Sequence, residues 1–289
     1  MLDQRSGSTI PTFIRCALAG VLVLPGSAGA TAGSPHTAVI PSFYDREHEF
    51  GINGPIRVST LAFTLFVYRD AVAVYEEADM VNMGKEPVSR DLSLPSTGFD
   101  QNGAESGGAV SSGLLGVQLW VDGERTAPRM LTDGDGVSWY TVRALFQRFE
   151  TKRVKALFWV RTFSPGTDQP PGLDTTTVPG GPRRFMVDLS HAAMWAGDIE
   201  TLDVTALLRD GMDVTSAAFS ATPDSYENYD AVVTWHLQDV EPSPGEDISV
   251  QYIPDDGQRR ALSLSDLAKK IAHEGYDELL RTVDSMREP

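Results

Sequence analysis

Two carboxylates separated by glycine form the clearest candidate site for cation chemistry in this chain. The segment Asp133-Gly134-Asp135-Gly136 can wrap a hard cation, because calcium takes several oxygen ligands and glycine permits a tight backbone. Asp133 and Asp135 are therefore candidate calcium ligands. The segment lacks the third oxygen ligand and the later glutamate of an EF-hand, and turn preferences explain the same residues as a hairpin turn. The sequence leaves both interpretations open.

No motif among the histidines or the possible nucleophiles identifies a catalytic residue. The five histidines form no His-x-x-x-His or Glu-x-x-His pair, and the chain has no Gly-x-Ser-x-Gly, Ser-x-x-Lys or reactive-cysteine motif. His236 lies between Trp235 and Leu237, so a strand would point it away from both neighbours. Trp195 lies beside alanine and close to glycine, and we expect it to be the least buried of the tryptophans. It and His191, four residues earlier, are candidate binding residues.

Composition limits the classes of partner and cofactor. The 289 residues include 24 Lys plus Arg against 40 Asp plus Glu, which gives a net charge of -16. Such acidity argues against a nucleic-acid partner, because phosphate binding needs clustered basic residues. A single cysteine excludes a disulfide framework and a thiolate zinc site. The 41% hydrophobic content is enough for a sizeable core.

The N-terminus predicts export. Arg5 and Arg15 precede an apolar run over residues 16–24 that is too short to span a bilayer, and small residues follow at positions 28 and 30. This three-part pattern predicts a signal peptide over residues 1–30, with cleavage after Ala30 or, second, after Ala32. The mature chain has no later stretch long and apolar enough for a transmembrane segment. We therefore expect an extracytoplasmic protein, periplasmic or secreted.

Most of the mature chain is expected to be β-structure. Short apolar or alternating runs lie between Gly, Pro, Asp and Asn, and no helical segments alternate with them, which favours an all-β antiparallel sandwich over a parallel α/β sheet. Hairpins are predicted at residues 68–71, at Asp122-Gly123 and at Glu150-Thr151. The predicted strands cover residues 56–68, 72–81, 115–121, 125–130, 137–149, 152–163, 185–189, 199–207, 214–219, 231–237 and 248–252.

The C-terminus is helical by pattern, and two loops divide the chain. Ser263 and Asp266 form a capping box, and apolar residues recur at helical spacing on both sides of Gly275, including Leu267 and Ile271. This amphipathic segment either packs back on the sheet or docks a partner through residues such as Leu267 and Ile271. Loops rich in Gly, Ser and Pro cover residues 96–113 and 164–182.

The expected organisation is therefore a signal peptide over 1–30, an N-terminal extension over 31–54, a β-sandwich region over 55–253, and a linker with the terminal helix over 254–289. The sandwich region is one large or two small sandwiches, with a candidate sub-boundary near 164–183.

The order of several short motifs resembles a group of uncharacterised bacterial secreted proteins that contain a domain of unknown function. The motifs are a strand ending E-E-A-D-M-V-N at residues 76–82, L-S-L-P at 92–95, V-Q-L-W-V-D-G at 117–123, A-M-W-A-G-D-I-E at 193–200 and W-H-L-Q-D-V-E-P at 235–242. Leu94 and Asp239 depart from the Phe and Asn usual in that group. The resemblance covers about residues 55–253. It implies an extracytoplasmic β-rich fold and brings no known activity.

The function expected from the sequence is that of a non-enzymatic β-sandwich protein, secreted or periplasmic, that binds a protein or cell-envelope partner. One alternative is a hydrolase of envelope polysaccharide or peptide that uses paired carboxylates. The other is a calcium-stabilised adhesion module built on the segment at Asp133.

The leader generates the first prediction. Expression in a bacterial host should yield a processed protein outside the cytoplasm whose N-terminal residue is Thr31, or Gly33 if the second site is used. Leu22→Arg, which puts a charge into the apolar run, should leave the full-length chain in the cytoplasm, whereas Ser34→Arg should not. Cell fractionation and N-terminal sequencing measure both. An unprocessed cytoplasmic wild-type chain would contradict the prediction.

Overall fold

Sixteen strands and one helix make up the described part of the chain. The computed structural model describes residues 37–45, 54–69, 71–96, 114–132, 138–162, 183–189, 192, 195–209, 212, 219–241, 247–252 and 276–287. The elements are β1 Thr37–Pro41, β2 Tyr44–Asp45, β3 Ile56–Val67, β4 Ala71–Asn82, β5 Val88–Pro95, β6 Leu115–Val121, β7 Glu124–Thr126, β8 Arg129–Thr132, β9 Ser138–Phe146, β10 Thr151–Arg161, β11 Arg183–Asp188, β12 Ile199–Leu208, β13 Ser220–Thr222, β14 Glu227–Tyr229, β15 Val232–Val240, β16 Ile248–Tyr252 and α1 Tyr276–Arg287. The fold class is all-β with a C-terminal helix, as the sequence predicts.

The strands form one large and two small sheets. The large sheet has eight strands in the order β14-β15-β12-β3-β4-β10-β6-β7, and the four-stranded sheets run β1-β11-β16-β13 and β2-β5-β9-β8. Most neighbours are antiparallel, but β1 pairs with β11 and β3 with β12 in parallel. Strands from both sides of residues 164–182 therefore pair within the same sheets. Strands β1 and β2 begin N-terminal to residue 55, where the sequence-predicted strands start.

The inner face of the eight-stranded sheet packs against both four-stranded sheets. Along β3, Leu61, Phe63 and Leu65 alternate with more exposed residues and join one apolar core with side chains of all three sheets. Facing residues include Ile40 of β1 and Leu92 of β5. Since burying a side chain of this size contributes roughly 1.5–3 kcal/mol, this core is the main stabilising term of the fold.

The outer face of the same sheet is apolar in one half only. There Phe66, Trp159 and other buried side chains form a second core, which α1 covers with Leu279 and Val283 at helical i, i+4 spacing. The terminal helix thus packs back on the sheet in its described part. Leu267 and Ile271 lie outside the described residues. None of the described residues forms a helix with the length and apolar character needed to cross a bilayer.

Two predicted hairpins have different outcomes. Asp122 and Gly123 both have positive φ, 52° and 83°, and join β6 to β7 as a tight turn, which confirms the prediction at this position. The hairpin predicted at Glu150-Thr151 is wrong. Strand β9 pairs with β5 and β8, whereas β10 pairs with β4 and β6 in another sheet. Both edges of β10 are already occupied, so the link crosses between sheets.

Asn82, at the end of β4, joins three backbone segments. Its side chain is fully buried, and its Nδ2 donates to the carbonyl oxygens of Glu86 at 2.9 Å and Gln147 at 3.1 Å. Its Oδ1 accepts from the Gly84 N–H at 2.9 Å. One amide therefore fixes both the turn after β4 and the crossing from β9 to β10. The asparagine that closes the first resembling motif has this structural role.

Asn82→Ala should destabilise the protein by about 2–3 kcal/mol, because it leaves buried backbone groups without partners. The matched control is Glu86→Ala, which keeps the carbonyl that Asn82 contacts and removes only an exposed side chain. Urea unfolding of both variants measures the difference. Equal stability of the two variants would show that the amide contributes nothing specific.

Candidate functional site

Two consecutive glutamates on β4 have opposite environments. Glu76 points into the core between the sheets, and Glu77 points to the outer face, because side chains alternate along a strand. Glu76 is fully buried, and Glu77 lies in a network of charged side chains. The two carboxylates therefore cannot act on the same substrate.

Glu76 is a buried acid held by the bend between β1 and β2. Its Oε1 accepts hydrogen bonds from the Ser42 hydroxyl at 2.6 Å and the Phe43 N–H at 3.2 Å. Its Oε2 has no hydrogen-bond partner among the described residues. Burial raises the pKa of Glu76 from 4.5 to about 8, although both hydrogen bonds act to lower it. At neutral pH the carboxyl is therefore mostly protonated.

Trp195 belongs to the same buried region. Only 3% of the residue is exposed, and its indole N–H donates to the Phe43 carbonyl oxygen at 3.0 Å. The expectation that Trp195 is the least buried tryptophan is wrong, since its ring joins the main core. The backbone N–H and C=O of Phe43 are thus both satisfied by side chains, those of Glu76 and Trp195.

The outer face carries a group of four ion-paired side chains, here called the charged strip: Glu77, Asp79, Arg153 and Lys155. The Arg153 guanidinium makes two hydrogen bonds to Asp79, at 2.8 and 3.0 Å, and approaches Glu77 Oε1 at 3.3 Å. Lys155 lies 3.4 Å from Glu77 Oε2, which also accepts from the Tyr75 hydroxyl at 2.8 Å. The hydrogen bonds from Arg153 lower the pKa of Asp79 in spite of partial burial.

The charged strip borders an open depression. Its lining also includes Asp122, Gly123 and Thr151, from the turn after β6 and the start of β10. Asp122 pairs with Lys152 at 2.7 Å, and this hydrogen bond raises the pKa of Lys152. Both carboxylates of the depression, Asp79 and Asp122, are therefore ion-paired.

A histidine–aspartate pair lies farther across the same face. His236 on β15 and Asp203 on β12 are register partners, and the histidine Nδ1 contacts the aspartate Oδ1. Both side chains are more than half exposed, whereas the adjacent Trp235 is 1% exposed. The prediction that His236 points away from Trp235 is confirmed. No local pattern indicated that Asp203, 33 residues away, would contact it.

The remaining candidate residues lie outside the described part of the chain. They are Asp133, Asp135, His191, Leu267 and Ile271. Calcium at Asp133 and Asp135 stays a prediction. In the described ranges, no group of three or more His, Cys, Asp or Glu side chains is placed to hold a metal ion.

The arrangement can make polar contacts more readily than it can transfer protons. Glu76 has the raised pKa of a general acid, but it faces the core and cannot reach a substrate. On the accessible face, Asp79 is held ionised by Arg153, and Glu77 contacts Arg153, Lys155 and Tyr75. Paired-acid hydrolysis requires one protonated and one ionised carboxyl group flanking a bond, which the charged strip does not offer.

Glu76 generates a prediction about stability and pH. Its folded pKa of about 8 exceeds the ordinary 4.5, so the folded state binds this proton more tightly than the unfolded state does. Stability is therefore lost as pH rises from about 4.5 to about 8 and levels off above that. Glu76→Gln, which stays neutral, should gain stability relative to wild type over that range, by at most about 5 kcal/mol.

Urea unfolding of both proteins at several pH values measures this difference, and subtracting the two curves removes the titration of every other group. Glu77→Gln is the control on the exposed face and should not reproduce the trend. A pH-independent difference between wild type and Glu76→Gln would contradict the prediction.

No protein-family model matches the chain, and no curated protein sequence matches it. Several solved structures align with part of the chain. A proposed nutrient-binding protein from Legionella pneumophila aligns with a TM-score of 0.49 and 10% identity over 75% of this chain and 70% of that one. An M1 zinc metallopeptidase from Deinococcus radiodurans aligns with a TM-score of 0.36 and 15% identity over 73% of this chain and 43% of that one. Yeast LTA4 hydrolase aligns with a TM-score of 0.38 and 11% identity over 68% of this chain and 29% of that one.

The chain thus spans less than half the length of the metallopeptidase and of the LTA4 hydrolase. At these identities and scores, none of the three structures bears on what this chain binds or does. The lack of a family or curated match agrees with the resemblance of its motifs to uncharacterised secreted proteins.

Proposed function

We propose that this protein is an exported, non-enzymatic binding protein whose contact surface is the part of the outer face that α1 leaves uncovered. The observation that carries the proposal is the division of this face into two halves. One half is apolar and lies under α1, and the other presents the charged strip and the His236–Asp203 pair on the same rigid sheet.

The uncovered half has properties suited to a protein partner. A row of side chains crosses five strands in register, from Gln238 through Thr201, Thr60 and Asp79 to Arg153. Ion pairs fix Asp79 and Arg153 before any partner arrives, so contact with these groups loses less side-chain entropy. Charges of both signs lie at one end of this row and hydroxyl and amide groups along the rest, so the row offers ion-pair and hydrogen-bond contacts of the kind found at the polar rim of protein interfaces.

The hydrolase alternative has less support. An active site of that kind is a cleft in which carboxylates with separated pKa values converge. Within the described residues, Glu76, the carboxyl whose pKa is raised, is enclosed in the core, and the depression beside the charged strip is open. The calcium-stabilised adhesion alternative depends on Asp133 and Asp135, and calcium titration of the intact protein tests it.

The location and the partner class complete the proposal. The predicted leader supports export, and the acidic composition supports a protein or cell-envelope component over nucleic acid. We infer that the partner is an envelope protein, because the uncovered half offers polar groups spread over a sheet rather than a closed pocket.

Bulk placed at the centre of the uncovered half should block partner binding. Thr60→Tyr adds a neutral ring at an exposed position of β3, and we expect it to reduce capture of envelope proteins by the mature chain at least about tenfold. Quantitative pull-down from envelope extracts, with the captured proteins identified and then titrated individually, measures this loss. A parallel assay on peptidoglycan and peptides should detect no product.

Leu145→Tyr is the matched control. Leu145 lies on β9 in a four-stranded sheet and is 53% exposed, so the same ring is added to another surface. Equal loss of capture by both variants would refute the proposed surface. Product release by the wild-type protein, abolished in a variant of the charged strip, would replace the proposal with the hydrolase alternative.

A further inference from the structure

The buried carboxyl of Glu76 is not used by the proposed contact surface, and its position in the core needs an explanation. A protonated carboxyl has one O–H donor, yet Oε2 has no hydrogen-bond partner among the described residues. Its register neighbours, Phe63 on β3 and Ala156 on β10, are apolar and buried. Ionising this group in place would put a charge into an apolar core with only one of its oxygens hydrogen-bonded.

An ionised Glu76 would be stabilised by contact with water. Water can reach it only where an element packed around it opens, and these elements differ in how many strand pairings hold them. Strand β4 is central and pairs along nearly its whole length with β3 and β10. The segment 37–45 instead contributes edge strands, β1 beside β11 alone and the two-residue β2 beside β5 alone. Opening of this segment breaks only its pairings with β11 and β5 and leaves the pairings of β4 with β3 and β10 in place.

Side-chain hydrogen bonds connect the bend in residues 37–45 to the rest of the fold. Between β1 and β2, Ser42 and Phe43 make no strand pairing, and side chains satisfy them instead. Glu76 accepts from the Ser42 hydroxyl and the Phe43 N–H, and the Trp195 indole donates to the Phe43 carbonyl. The bend is therefore hydrogen-bonded to the large sheet through the carboxyl of Glu76, which can lose a proton.

We propose that Glu76 is a proton-dependent latch for residues 37–45: while the carboxyl is neutral the Ser42–Phe43 bend stays closed against the eight-stranded sheet, and loss of the proton puts an unhydrated charge into the apolar core, so that hydration of this charge opens the segment while the sheet stays folded. The device lies on the opposite face of β4 from the charged strip, so it stands independently of the proposed binding function.

Two other buried carboxyls lie near the bend, so the response of Glu76 is identified by comparison with Glu76→Gln. The groups that shift the pKa of Glu76 are Ser42 and Phe43, neither of which titrates, in addition to burial itself. The charged residues nearest in register or sequence to the bend are Asp45, which pairs with Arg90 at 3.2 Å, and Asp188, the register partner of Pro41. Both aspartates are buried.

Hydrogen–deuterium exchange of the processed protein tests the latch. Peptides covering residues 37–45, 71–82 and 151–161 are followed from pH 5.5 to 9.5, with labelling times scaled to the intrinsic exchange rate. Protection of 37–45 should fall by at least about tenfold between pH 5.5 and 8 and then level off, while the β4 and β10 peptides stay protected. In Glu76→Gln, protection of 37–45 should be independent of pH.

Two further variants keep the test decisive if Glu76→Gln does not fold. Ser42→Ala removes a hydrogen bond that lowers the pKa of Glu76, so the pH at which protection levels off should rise. Trp195→Phe removes the indole hydrogen bond and should weaken protection of 37–45 by a similar factor at every pH. Parallel loss of protection in all three peptides, or no pH dependence confined to 37–45, would overturn the latch.

Discussion

Successive side chains of β4 must point to opposite faces of the eight-stranded sheet, and the rest of the molecule is arranged around this requirement. From residue 71 to residue 78 every position is buried. Two four-stranded sheets cover one face, α1 covers the strand up to Tyr75 on the other face, and the neighbouring side chains of Tyr75, Arg153 and Lys155 enclose Glu77. Beyond that stretch the outer face has no helix over it, and the same alternation places Asp79 there in contact with Arg153. Burial on both sides and the charged strip are thus consequences of one strand geometry and one short helix.

The alternation also separates two kinds of acidic group. Burial in the core raises the pKa of Glu76, whereas Glu77 and Asp79 contact cations on the outer face of the sheet. An enzyme of the paired-acid type brings such different groups to one substrate. Here a single sheet keeps the two kinds of acidic group on opposite faces.

Local patterns predicted much of this fold, and long-range partners determined the rest. Alternation of apolar residues predicted β3, a short apolar run predicted β4, and Asp122-Gly123 predicted its turn, since each of these signals depends on neighbouring residues. Asp239 takes a φ of 51°, a conformation that Asn and Asp adopt more readily than most residues, so its departure from the asparagine of the resembling group is conservative. Nothing near Trp195 indicated its bond to Phe43, 152 positions away, and nothing near residue 150 indicated that β9 and β10 join different sheets.

The parallel pairing of β3 with β12 has a consequence for how the chain reaches its folded state. Residues 60–67 find their partners at 201–208, so the centre of the large sheet cannot be completed until more than two thirds of the chain has been synthesised. Pairing over such a separation is intrinsically slow, because a long loop must close before the contact forms. A chain whose central strand pairing forms this late keeps apolar strands exposed for much of its synthesis.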